Sequence, residues 1–550
     1  MRLVRRLGLM TLPLCLGGVC LAASLTPSLI PRGWLTQGIL SGVVMAIGYL
    51  IGRAGVALWR GLGLPEPSGR AARIGRLAAG LPVAVLLAVC LGFARHWQNG
   101  IRVRMGMGPA EGGHTPQMIV VALVVFLLLL ALGHAVQWLF DLARRKLYRV
   151  MPPRAANVAG LVLTGLALVV VTRDGVLDHV IAALDRSYTV AQNLFADAPP
   201  RPAIIRTGGD GSLIDWEALG QPGRDFVTGG PHAAAIAAFR GAPARDPIRV
   251  YVGLAQAETA EDRARLAVDE LIRQGGFDRE VLVVALPTGT GWLDPGSFDV
   301  LEYMHGGDVA SVAVQYSYLQ SPLALILETE AGLDQARELI RAVRAHWTTL
   351  PRDSRPRLYI HGLSLGAWAS MYATDLFALL DDPIDGALWV GPPFPSAFWR
   401  EAVAARNPDS RYVEPKVKSR RLIRFATRLD HGGGPEGWGT IRLMFLQYPS
   451  DPIVFYDPRS LWRAPAWMRE PPAADVSPDL RFIPIVTQFQ LALDMALATS
   501  APAGFGHSYW APDYIGPWRA VTAPAGWSEA DSARLRTRCD NGFQRGCDNG

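Results

Sequence analysis

The hydrophobic positions of the chain follow two patterns, and the change from one to the other falls near residue 185. In the first part, apolar runs are long enough to cross a bilayer as helices, which takes about 20 residues. These runs lie at about Leu7–Leu25, Leu35–Trp59, Leu77–Arg95, Met118–Phe140 and Asn157–Val176. The pattern therefore predicts a membrane region over residues 1–184 with about five transmembrane helices.

The basic residues beside these runs predict how the region lies in the membrane. Three segments carry most of them: the N-terminus, the second loop and the fourth loop. Their members are Arg2, Arg5, Arg6, Arg60, Arg70, Arg73, Arg76, Arg144, Arg145, Lys146, Arg149 and Arg154. The positive-inside rule assigns such segments to the cytoplasm. Five spans that begin inside end outside, so the rest of the chain is predicted to lie at the outer face of the inner (cytoplasmic) membrane. The first run also has the features of a signal peptide, and cleavage near Ala22-Ala23 would leave four spans and the same placement.

Beyond residue 185 the pattern becomes that of a globular protein. Residues 185–245 are rich in Pro, Gly and Asp and have no sustained period, which predicts a linker or cover segment. Over residues 246–525, short continuous apolar runs such as VLVVAL and RLYIHG alternate with helical runs such as AEDRARLAVDELIR. This alternation predicts an α/β domain whose parallel sheet is covered by helices on both faces. Residues 526–550 form a polar tail.

Charge and cysteine content narrow the class of partner and the compartment. The net charge is +6, and the basic residues cluster largely beside the apolar runs, so no nucleic-acid partner is predicted. Cys539 and Cys547 lie close together in the polar tail. They would form a disulfide if the tail faces an oxidising space, and they would otherwise remain free thiols.

The segment LYIHGLSLGA carries the clearest candidate for chemistry. A strand-like run ends at Gly362-Leu363-Ser364-Leu365-Gly366, and a helix-like run follows. A nucleophilic serine on a tight strand-to-helix turn needs small residues two before and two after it, so that the helix can pass close to the strand. Ser364 is therefore predicted to be a nucleophile, with the Leu365 N–H at the helix start as an oxyanion donor. The alternative is a glycine-rich turn that serves packing alone.

A serine nucleophile needs a base, and the base needs an acid that orients it. In the chain order serine, acid, histidine, the histidines that follow Ser364 are His431 and His507. His507 lies in a glycine-rich loop after the last helical run and is favoured, whereas His431 lies in a glycine-rich insertion and is the alternative. Asp451 follows the strand-like run IRLMFLQYP and is the predicted acid. Asp457 is the alternative acid, and the competing interpretation of Asp457 is a turn residue before Pro458.

A second oxyanion donor is expected from the loop after an earlier strand. The segment VLVVALPTGTGW fits, since its glycines allow a backbone N–H to turn toward the serine. The donor is predicted to be the N–H of Thr288 or Gly289, and the residues leave open which. A plain turn is the alternative interpretation. No metal or organic cofactor is predicted, because the chemistry of such a triad requires none.

The stretch FDVLEYMHGGDVASVAVQYSYLQS follows this loop and mixes carboxylates with aromatic rings. Carboxylates would suit a cationic headgroup, and aromatic faces add cation–π attraction. Glu302, His305, Asp308 and Tyr316 are therefore predicted to line a substrate pocket. The alternative is a solvated helix start followed by a loop at the sheet edge.

Taken together, these segments resemble a bacterial family of membrane-anchored α/β-hydrolases that includes aminoacyl-phosphatidylglycerol hydrolases. The matching segments are SLTPSLIPR, RVYVGL, ALPTGTGW, LEYMHGGD, QYSYLQS, LYIHGLSLGA, the SDP of QYPSDPIVFY, and GHSYW. The resemblance implies a multispan helical membrane region followed by an α/β-hydrolase domain outside the cytoplasm. It also implies Ser364 as the nucleophile, Asp451 as the acid and His507 as the base.

The substrate that the resemblance implies is an amino acid esterified to a membrane lipid headgroup, which hydrolysis removes. A lipase or phospholipase that cuts fatty-acyl esters is the alternative within the same chemistry. For both enzymes the predicted partner is a membrane lipid. A catalytically inactive hydrolase fold that acts as a membrane-tethered binding module is the alternative from a different class.

Overall fold

A computed structural model describes residues 10–147, 199–202, 206–319, 329–374 and 382–547, together with scattered positions between 152 and 166 and without residues 67, 111, 113, 435 and 543. The chain divides into two compact units, each formed by two segments. The first unit comprises Met1–Ala183 and Asp457–Leu497, and the second comprises Leu184–Tyr456 and Ala498–Gly550. The segment Asp457–Leu497, which the hydrophobic pattern assigns to the predicted α/β domain, therefore groups with the N-terminal region.

The described helices and strands are numbered in chain order. The α-helices are α1 Thr11–Ser24, α2 Trp34–Gly61, α3 Gly69–Arg104, α4 Thr115–Leu147, α5 Gly220–Thr228, α6 Ala233–Arg240, α7 Ala260–Arg273, α8 Pro295–Met304, α9 Thr329–Trp347, α10 Leu365–Ala373, α11 Ala397–Ala404, α12 Pro452–Phe455, α13 Val486–Ala496, α14 Ala511–Thr522 and α15 Glu529–Arg538. Short 3-10 helices lie at Glu217–Leu219, Leu254–Gln256, Gly276–Asp278, Pro458–Leu461, Ala466–Arg469 and Ala498–Ser500. The strands are β1 Ile248–Val252, β2 Val281–Leu286, β3 Val309–Val314, β4 Arg357–Leu363, β5 Gly386–Val390, β6 Ile423–Ala426 and β7 Arg442–Leu446.

Among the described residues, three helices are long and apolar enough to cross a membrane. They are Trp34–Gly61, Gly69–Arg104 and Thr115–Arg145, in α2, α3 and α4, and they correspond to the second, third and fourth predicted spans. The first predicted run is helical in α1, whose 14 residues are fewer than a span requires. The fifth predicted run, Asn157–Val176, lies largely outside the described residues, so the count of five spans stays a prediction.

Small residues on α2 allow the helices of the first unit to approach closely. A Cβ atom at Gly42 would lie 2.6 Å from the carbonyl oxygen of Ala122 in α4. A Cβ atom at Gly48 would lie 2.9 Å from the carbonyl oxygen of Leu16 in α1. Two sides of α2 therefore pack backbone to backbone against its neighbours. Such contacts are typical of helices in membranes, where small residues permit the close van der Waals packing that drives association.

The second unit is built on a seven-stranded sheet in which all neighbouring strands are parallel. The strand order is β1-β3-β2-β4-β5-β7-β6. The strands are buried along nearly their whole length, as expected for the continuous apolar runs of a parallel sheet. The predicted fold class is confirmed: an N-terminal helical region with long apolar helices precedes an α/β domain with a parallel sheet.

The parallel arrangement gives the sheet two chemically different edges. The strands all end at one edge, here called the carboxyl edge, and all begin at the other, here called the amino edge. Because β4 lies between β2 and β5, and β7 borders β5, the loops that follow these four strands are neighbours at the carboxyl edge. In parallel α/β sheets, ligands bind outside the carboxyl ends of the strands.

The C-terminal tail of the second unit is folded. Helix α15 begins with a capping box, in which Ser528 and Asp531 each accept the backbone N–H of the other. Cys539 and Cys547 form a disulfide directly after this helix. Of the two alternatives for these cysteines, the structure therefore has the paired one.

Candidate active site

Ser364 occupies a strained turn between β4 and α10. Its backbone has φ 56° and ψ −120°, a conformation that residues with a side chain rarely adopt. A Cβ atom at Gly362 would lie 2.3 Å from the carbonyl carbon of Gly366, and one at Gly366 would lie 1.9 Å from the carbonyl oxygen of Leu286. Both glycines are therefore needed for α10 to pass close to the ends of β2 and β4.

The start of α10 offers a backbone donor beside the serine. The Ser364 N–H is already used, because it donates to the carbonyl oxygen of Val390 at the end of β5 at 2.9 Å. The helix begins at Leu365, and the first N–H groups of a helix have no acceptor within it. The Leu365 N–H, at the positive end of the helix dipole, therefore remains the candidate oxyanion donor on this side.

Asp451 and His507 form a buried hydrogen-bonded pair. Nδ1 of His507 donates to Oδ2 of Asp451 at 2.7 Å. Asp451 follows β7 and caps α12, where its Oδ1 accepts the Ile453 N–H at 2.9 Å. The backbone N–H of His507 donates to the carbonyl oxygen of Ala498 at 2.9 Å. A neutral imidazole held at Nδ1–H presents Nε2 as an acceptor, which is the form that a general base requires.

The serine turn and the imidazole come together at the end of β5. Val390 accepts the Ser364 N–H, and the next residue, Gly391, lies against the ring, since a Cβ atom there would be 2.8 Å from Cε1 of His507. Gly391 also has φ 51°, so backbone conformation and ring contact both favour glycine. Nε2 of His507 is buried and has no hydrogen-bond partner among the residues that the structure describes. The structure therefore brings Ser364, His507 and Asp451 to one part of the carboxyl edge.

The loop after β2 lies against the serine turn. A Cβ atom at Gly366 would be 2.9 Å from the carbonyl oxygen of Pro287, which is the first residue of this loop. Within the loop, the Thr288 N–H donates to the carbonyl oxygen of Trp292 at 3.0 Å and is thus committed to the turn. Of the two predicted donors, the N–H of Gly289 is therefore the better candidate for the second oxyanion contact.

Two family models match the chain. The model described as the alpha/beta-hydrolase family matches residues 248–535, slightly more than half of the chain, and this range includes the serine turn, the carboxylate and the histidine. The chain belongs to the α/β-hydrolase family. The model of that family's N-terminus matches residues 25–231, a range that contains the three long apolar helices of this chain. No curated protein and no solved structure matches the chain.

The alternative base, His431, and the alternative acid, Asp457, make other contacts in the structure. The Cβ atom of His431 packs on Gly516 of α14, where an added Cβ would be 2.6 Å away, and burial lowers the pKa of the His431 imidazole. Asp457 caps the 3-10 helix that follows it, and its Oδ1 accepts the Arg459 N–H at 2.9 Å. Asp457 therefore has the contacts of a turn residue, which is the interpretation that competes with its role as an acid.

The carboxylates predicted to line a substrate pocket lie at the amino edge. Glu302, near the end of α8, pairs with Arg249 of β1, and both of its oxygens are 2.8 Å from guanidinium nitrogens. Asp308 directly precedes β3 and pairs with Arg245 at 2.8 Å. Both carboxylates thus form ion pairs at the amino edge, whereas the serine turn lies at the carboxyl edge.

His305, the histidine predicted to line the pocket, also lies at the amino edge. Nδ1 of His305 is 3.3 Å from Oε2 of Glu280, which directly precedes β2, and Nε2 is 2.9 Å from Oγ1 of Thr522. The structure therefore does not bring this histidine or the two carboxylates to the serine turn. This corrects the sequence-based prediction, which inferred closeness in space from closeness to the oxyanion loop along the chain.

Tyr316 lies on the carboxyl side, after β3. It is buried, and its ring packs on Gly332 of α9, where an added Cβ would be 2.9 Å from Cε2 of the ring. Strand β2 separates β3 from β4, so Tyr316 is more than one strand away from the serine turn. Its role in a substrate pocket stays a prediction.

Two tyrosines that the sequence did not single out contact carboxylates at the carboxyl edge. The phenol of Tyr509 donates to Oδ2 of Asp451 at 2.8 Å. The phenol of Tyr514 donates to Oδ2 of Asp294 at 2.6 Å, at the end of the loop after β2. Burial raises the pKa of Asp294 to about 7, although this hydrogen bond opposes the shift. The signal available in the sequence was the position of Tyr509, two residues after the histidine of GHSYW.

The side chains at the carboxyl edge are those of nucleophilic and proton-transfer chemistry. A serine oxygen on a strained turn, an imidazole with its Nδ1–H bound, and a buried carboxylate can together activate an alcohol as a nucleophile. In the described parts of the chain, no group of three or more histidine, cysteine, aspartate or glutamate side chains could hold a metal ion.

Proposed function

We propose that this protein is a membrane-anchored serine ester hydrolase that acts on lipid-linked esters at the outer face of the cytoplasmic membrane. The observation that carries the proposal is the strained turn at Ser364 beside the buried pair of His507 and Asp451, at one part of the carboxyl edge. Backbone strain at a non-glycine residue is characteristic of functional sites, where the surrounding structure enforces it.

The proposed reaction proceeds through an acyl-enzyme. Nε2 of His507 takes the proton of Ser364 Oγ as this oxygen attacks the ester carbonyl carbon, and the Asp451 carboxylate stabilises the imidazolium. The oxyanion that forms on the carbonyl oxygen accepts hydrogen bonds from Leu365 N–H and from the loop that holds Gly289. His507 then gives its proton to the leaving alcohol, and the ester bond breaks. Water attacks the acyl-enzyme in the same way, which releases the acid and restores the serine.

Three features support the membrane and outer-face parts of the proposal. The long apolar helices, within the range that matches the family's N-terminus, would tether the site near a lipid substrate and raise its effective concentration. The basic residues of the loops favour an outward hydrolase domain. The disulfide between Cys539 and Cys547 favours an oxidising compartment, since thiols in the cytoplasm are kept reduced.

Aminoacyl-phosphatidylglycerol is the substrate that the family resemblance supports. Its hydrolysis would release a free amino acid and restore the negative charge of the lipid. The carboxylates of Glu302 and Asp308 give this choice no support, because they are paired with arginines at the amino edge. The vesicle experiment described below therefore distinguishes aminoacyl esters from fatty-acyl esters as the substrate.

Labelling with a fluorophosphonate probe tests the serine hydrolase chemistry. We expect the wild-type protein in detergent to be labelled and Ser364→Ala to be unlabelled. Ser370→Ala is the matched control, because Ser370 lies in α10 as well and its hydroxyl donates to the local carbonyl oxygen of Ala367. Wild-type protein that resists labelling while folded would contradict the proposal and favour the binding module.

Hydrolysis of defined vesicles tests the substrate. Phosphatidylglycerol vesicles doped with lysyl- or alanyl-phosphatidylglycerol are incubated with wild-type protein and with Ser364→Ala, and the products are measured by mass spectrometry. We expect release of the amino acid by the wild type alone. Release of fatty acid with intact aminoacyl ester would identify a lipase or phospholipase instead.

A further inference from the structure

The carboxylate of Asp451 has one more donor than the proposed reaction uses. Its Oδ1 accepts the Ile453 N–H at 2.9 Å, and its Oδ2 accepts both Nδ1–H of His507 at 2.7 Å and the phenol of Tyr509 at 2.8 Å. The carboxylate is fully buried, so each of these contacts acts in a medium of low dielectric constant. The phenol and the imidazole thus share one oxygen atom.

The fold holds Tyr509 in this position from several sides. Its ring meets the His507 ring edge to face, with centroids 5.5 Å apart, and it stacks on Tyr448 with centroids 4.5 Å apart. A Cβ atom at Gly391 would lie 2.6 Å from Cε2 of Tyr509, so the end of β5 also limits its movement. Burial, together with the negative charge of Asp451, raises the pKa of the Tyr509 phenol well above its ordinary value. The phenol is therefore a neutral donor across the working pH range.

We propose that Tyr509 is a positioning residue, which acts on the proposed nucleophile through Asp451 and His507. The inference rests on the proposed serine hydrolase function and deepens it. Without the phenol, Oδ2 would be held by the imidazole alone, and the imidazole is the group that the carboxylate has to orient. The phenol gives Oδ2 a second donor that does not depend on His507, and it thereby helps to fix the plane that faces Nδ1–H. The hydrogen bond from the phenol also draws negative charge from Oδ2, which weakens the stabilisation of the imidazolium. Removal of the phenol is therefore expected to favour the imidazolium over the neutral base.

The other titratable groups around this contact define the control. Tyr448 stacks on Tyr509, but its own phenol donates to Oδ2 of Asp513 at 2.7 Å. The positive charge of Arg428 opposes the rise that burial causes in the pKa of Tyr448 and in the pKa of Asp513. Tyr448→Phe therefore removes a phenol donor from a buried carboxylate in the same stack, without changing the donors to Asp451.

The test is the pH dependence of inactivation by a fluorophosphonate and of p-nitrophenyl acetate hydrolysis, measured with the full chain in detergent between pH 5 and 9. We expect Tyr509→Phe to move the acid limb upward by about half to one pH unit, because the imidazolium is better stabilised. We expect kcat to fall by about tenfold with KM within about twofold, because the orientation of the base is less fixed. Tyr448→Phe is expected to keep the wild-type acid limb. An unchanged acid limb in Tyr509→Phe, or equal shifts in the two variants, would overturn the inference.

Two further measurements test whether Tyr509 acts through the Asp451 carboxylate. The double variant Asp451→Asn/Tyr509→Phe is expected to be no slower than Asp451→Asn, since Tyr509 acts through the carboxylate, and additive losses would contradict this. If Tyr509→Phe does not fold, 3-fluorotyrosine at position 509 keeps the ring and provides a more acidic phenol, which is expected to move the acid limb downward. Equal reaction of Ser364→Ala and wild type would reject the proposed function itself, whatever the result at Tyr509.

Discussion

The charge of Asp451 selects the tautomer of the neutral His507 imidazole. A carboxylate that accepts Nδ1–H leaves Nε2 as the acceptor and stabilises the imidazolium as it forms. An asparagine has the same shape, but its amide nitrogen is a donor and favours the opposite tautomer. The effect of the residue is therefore electrostatic as well as geometric.

We expect Asp451→Asn to lower kcat for p-nitrophenyl acetate by about 10³- to 10⁴-fold with little change in KM, because the base has the wrong tautomer. The matched control is Asp457→Asn, which alters the alternative acid and is expected to keep activity within about twofold, because its carboxylate caps a 3-10 helix. Steady-state kinetics and thermal unfolding of each full-length variant provide the measurement. Loss of activity in Asp457→Asn with an active Asp451→Asn would reverse the assignment of the acid.

The carboxyl end of strand β5 lies between the turn at Ser364 and the loop that carries His507. Val390 binds the backbone of Ser364, and Gly391 contacts both His507 and Tyr509. The strand end therefore sets the spacing between nucleophile and base. A residue larger than glycine at position 391 would push the turn at Ser364 and the loop that carries His507 apart.

Gly391→Ala tests this role of the strand end. The added Cβ would lie 2.8 Å from Cε1 of His507, so we expect the rate of fluorophosphonate labelling to fall by about tenfold or more as the ring moves. Gly526→Ala is the matched control, since Gly526 also has a positive φ, 68°, but has open space around its Cβ direction. Both variants bear a backbone strain of about 1 kcal/mol, visible in thermal unfolding, and only Gly391→Ala should lose labelling. Equal labelling rates in the two variants would contradict a spacing role for Gly391.

The parts of the site that could be predicted from the sequence are local or follow chain order. The turn at Ser364 depends on glycines two residues away, and the candidate acid and base follow from their order after it. The position of Glu302 could not be predicted from its distance along the chain. Helix α8 starts at the carboxyl edge after β2 and must return the chain to the amino edge, where β3 begins. Its 10 residues span about 15 Å, so Asp294 at its start and Glu302 near its end lie at opposite edges.

The grouping of segments into units is also beyond what periodicity can predict. The pattern of apolar residues identifies α13 as a helix, but it does not say which unit that helix packs against. Asp457–Leu497 follows the candidate acid in the chain and yet groups with the N-terminal unit. This outcome depends on contacts between residues far apart in sequence, such as the Ser28 hydroxyl, which donates to Asp494 at 2.8 Å.

At the scale of the whole second unit, buried tyrosine–carboxylate pairs connect segments that are distant in the chain. These pairs are Tyr509 with Asp451, Tyr514 with Asp294, and Tyr448 with Asp513. They link the segment after β7, the loop before α8, helix α14 and the residues just before that helix. Because a buried carboxylate is costly in its charged form, such pairs make the stability of the unit depend on pH.

Asp294 allows the sign of this dependence to be worked out. Its pKa is about 7 in the folded protein because of burial, against an ordinary value of 3.8 in the unfolded chain. Between these two values the folded state binds the proton more tightly than the unfolded state does. The free energy of unfolding therefore falls as pH rises from about 4 to 7, by at most about 4 kcal/mol from this group, and changes no further above that range.

Asp294→Asn should remove this contribution while it keeps the cap of α8, because the asparagine oxygen can still accept the Gly296 N–H. We expect the melting temperature of the full chain in detergent to decline less between pH 4.5 and 7.5 in this variant than in the wild type, with the two curves furthest apart at pH 7.5. The control is Asp210→Asn, whose side chain is 78% exposed and should leave the wild-type slope unchanged. The difference between the Asp294→Asn and wild-type curves isolates Asp294, because these two proteins share every other titrating group. Parallel curves for Asp294→Asn and the wild type would mean that Asp294 is ionised throughout this range, with Tyr514 as a donor strong enough to offset its burial.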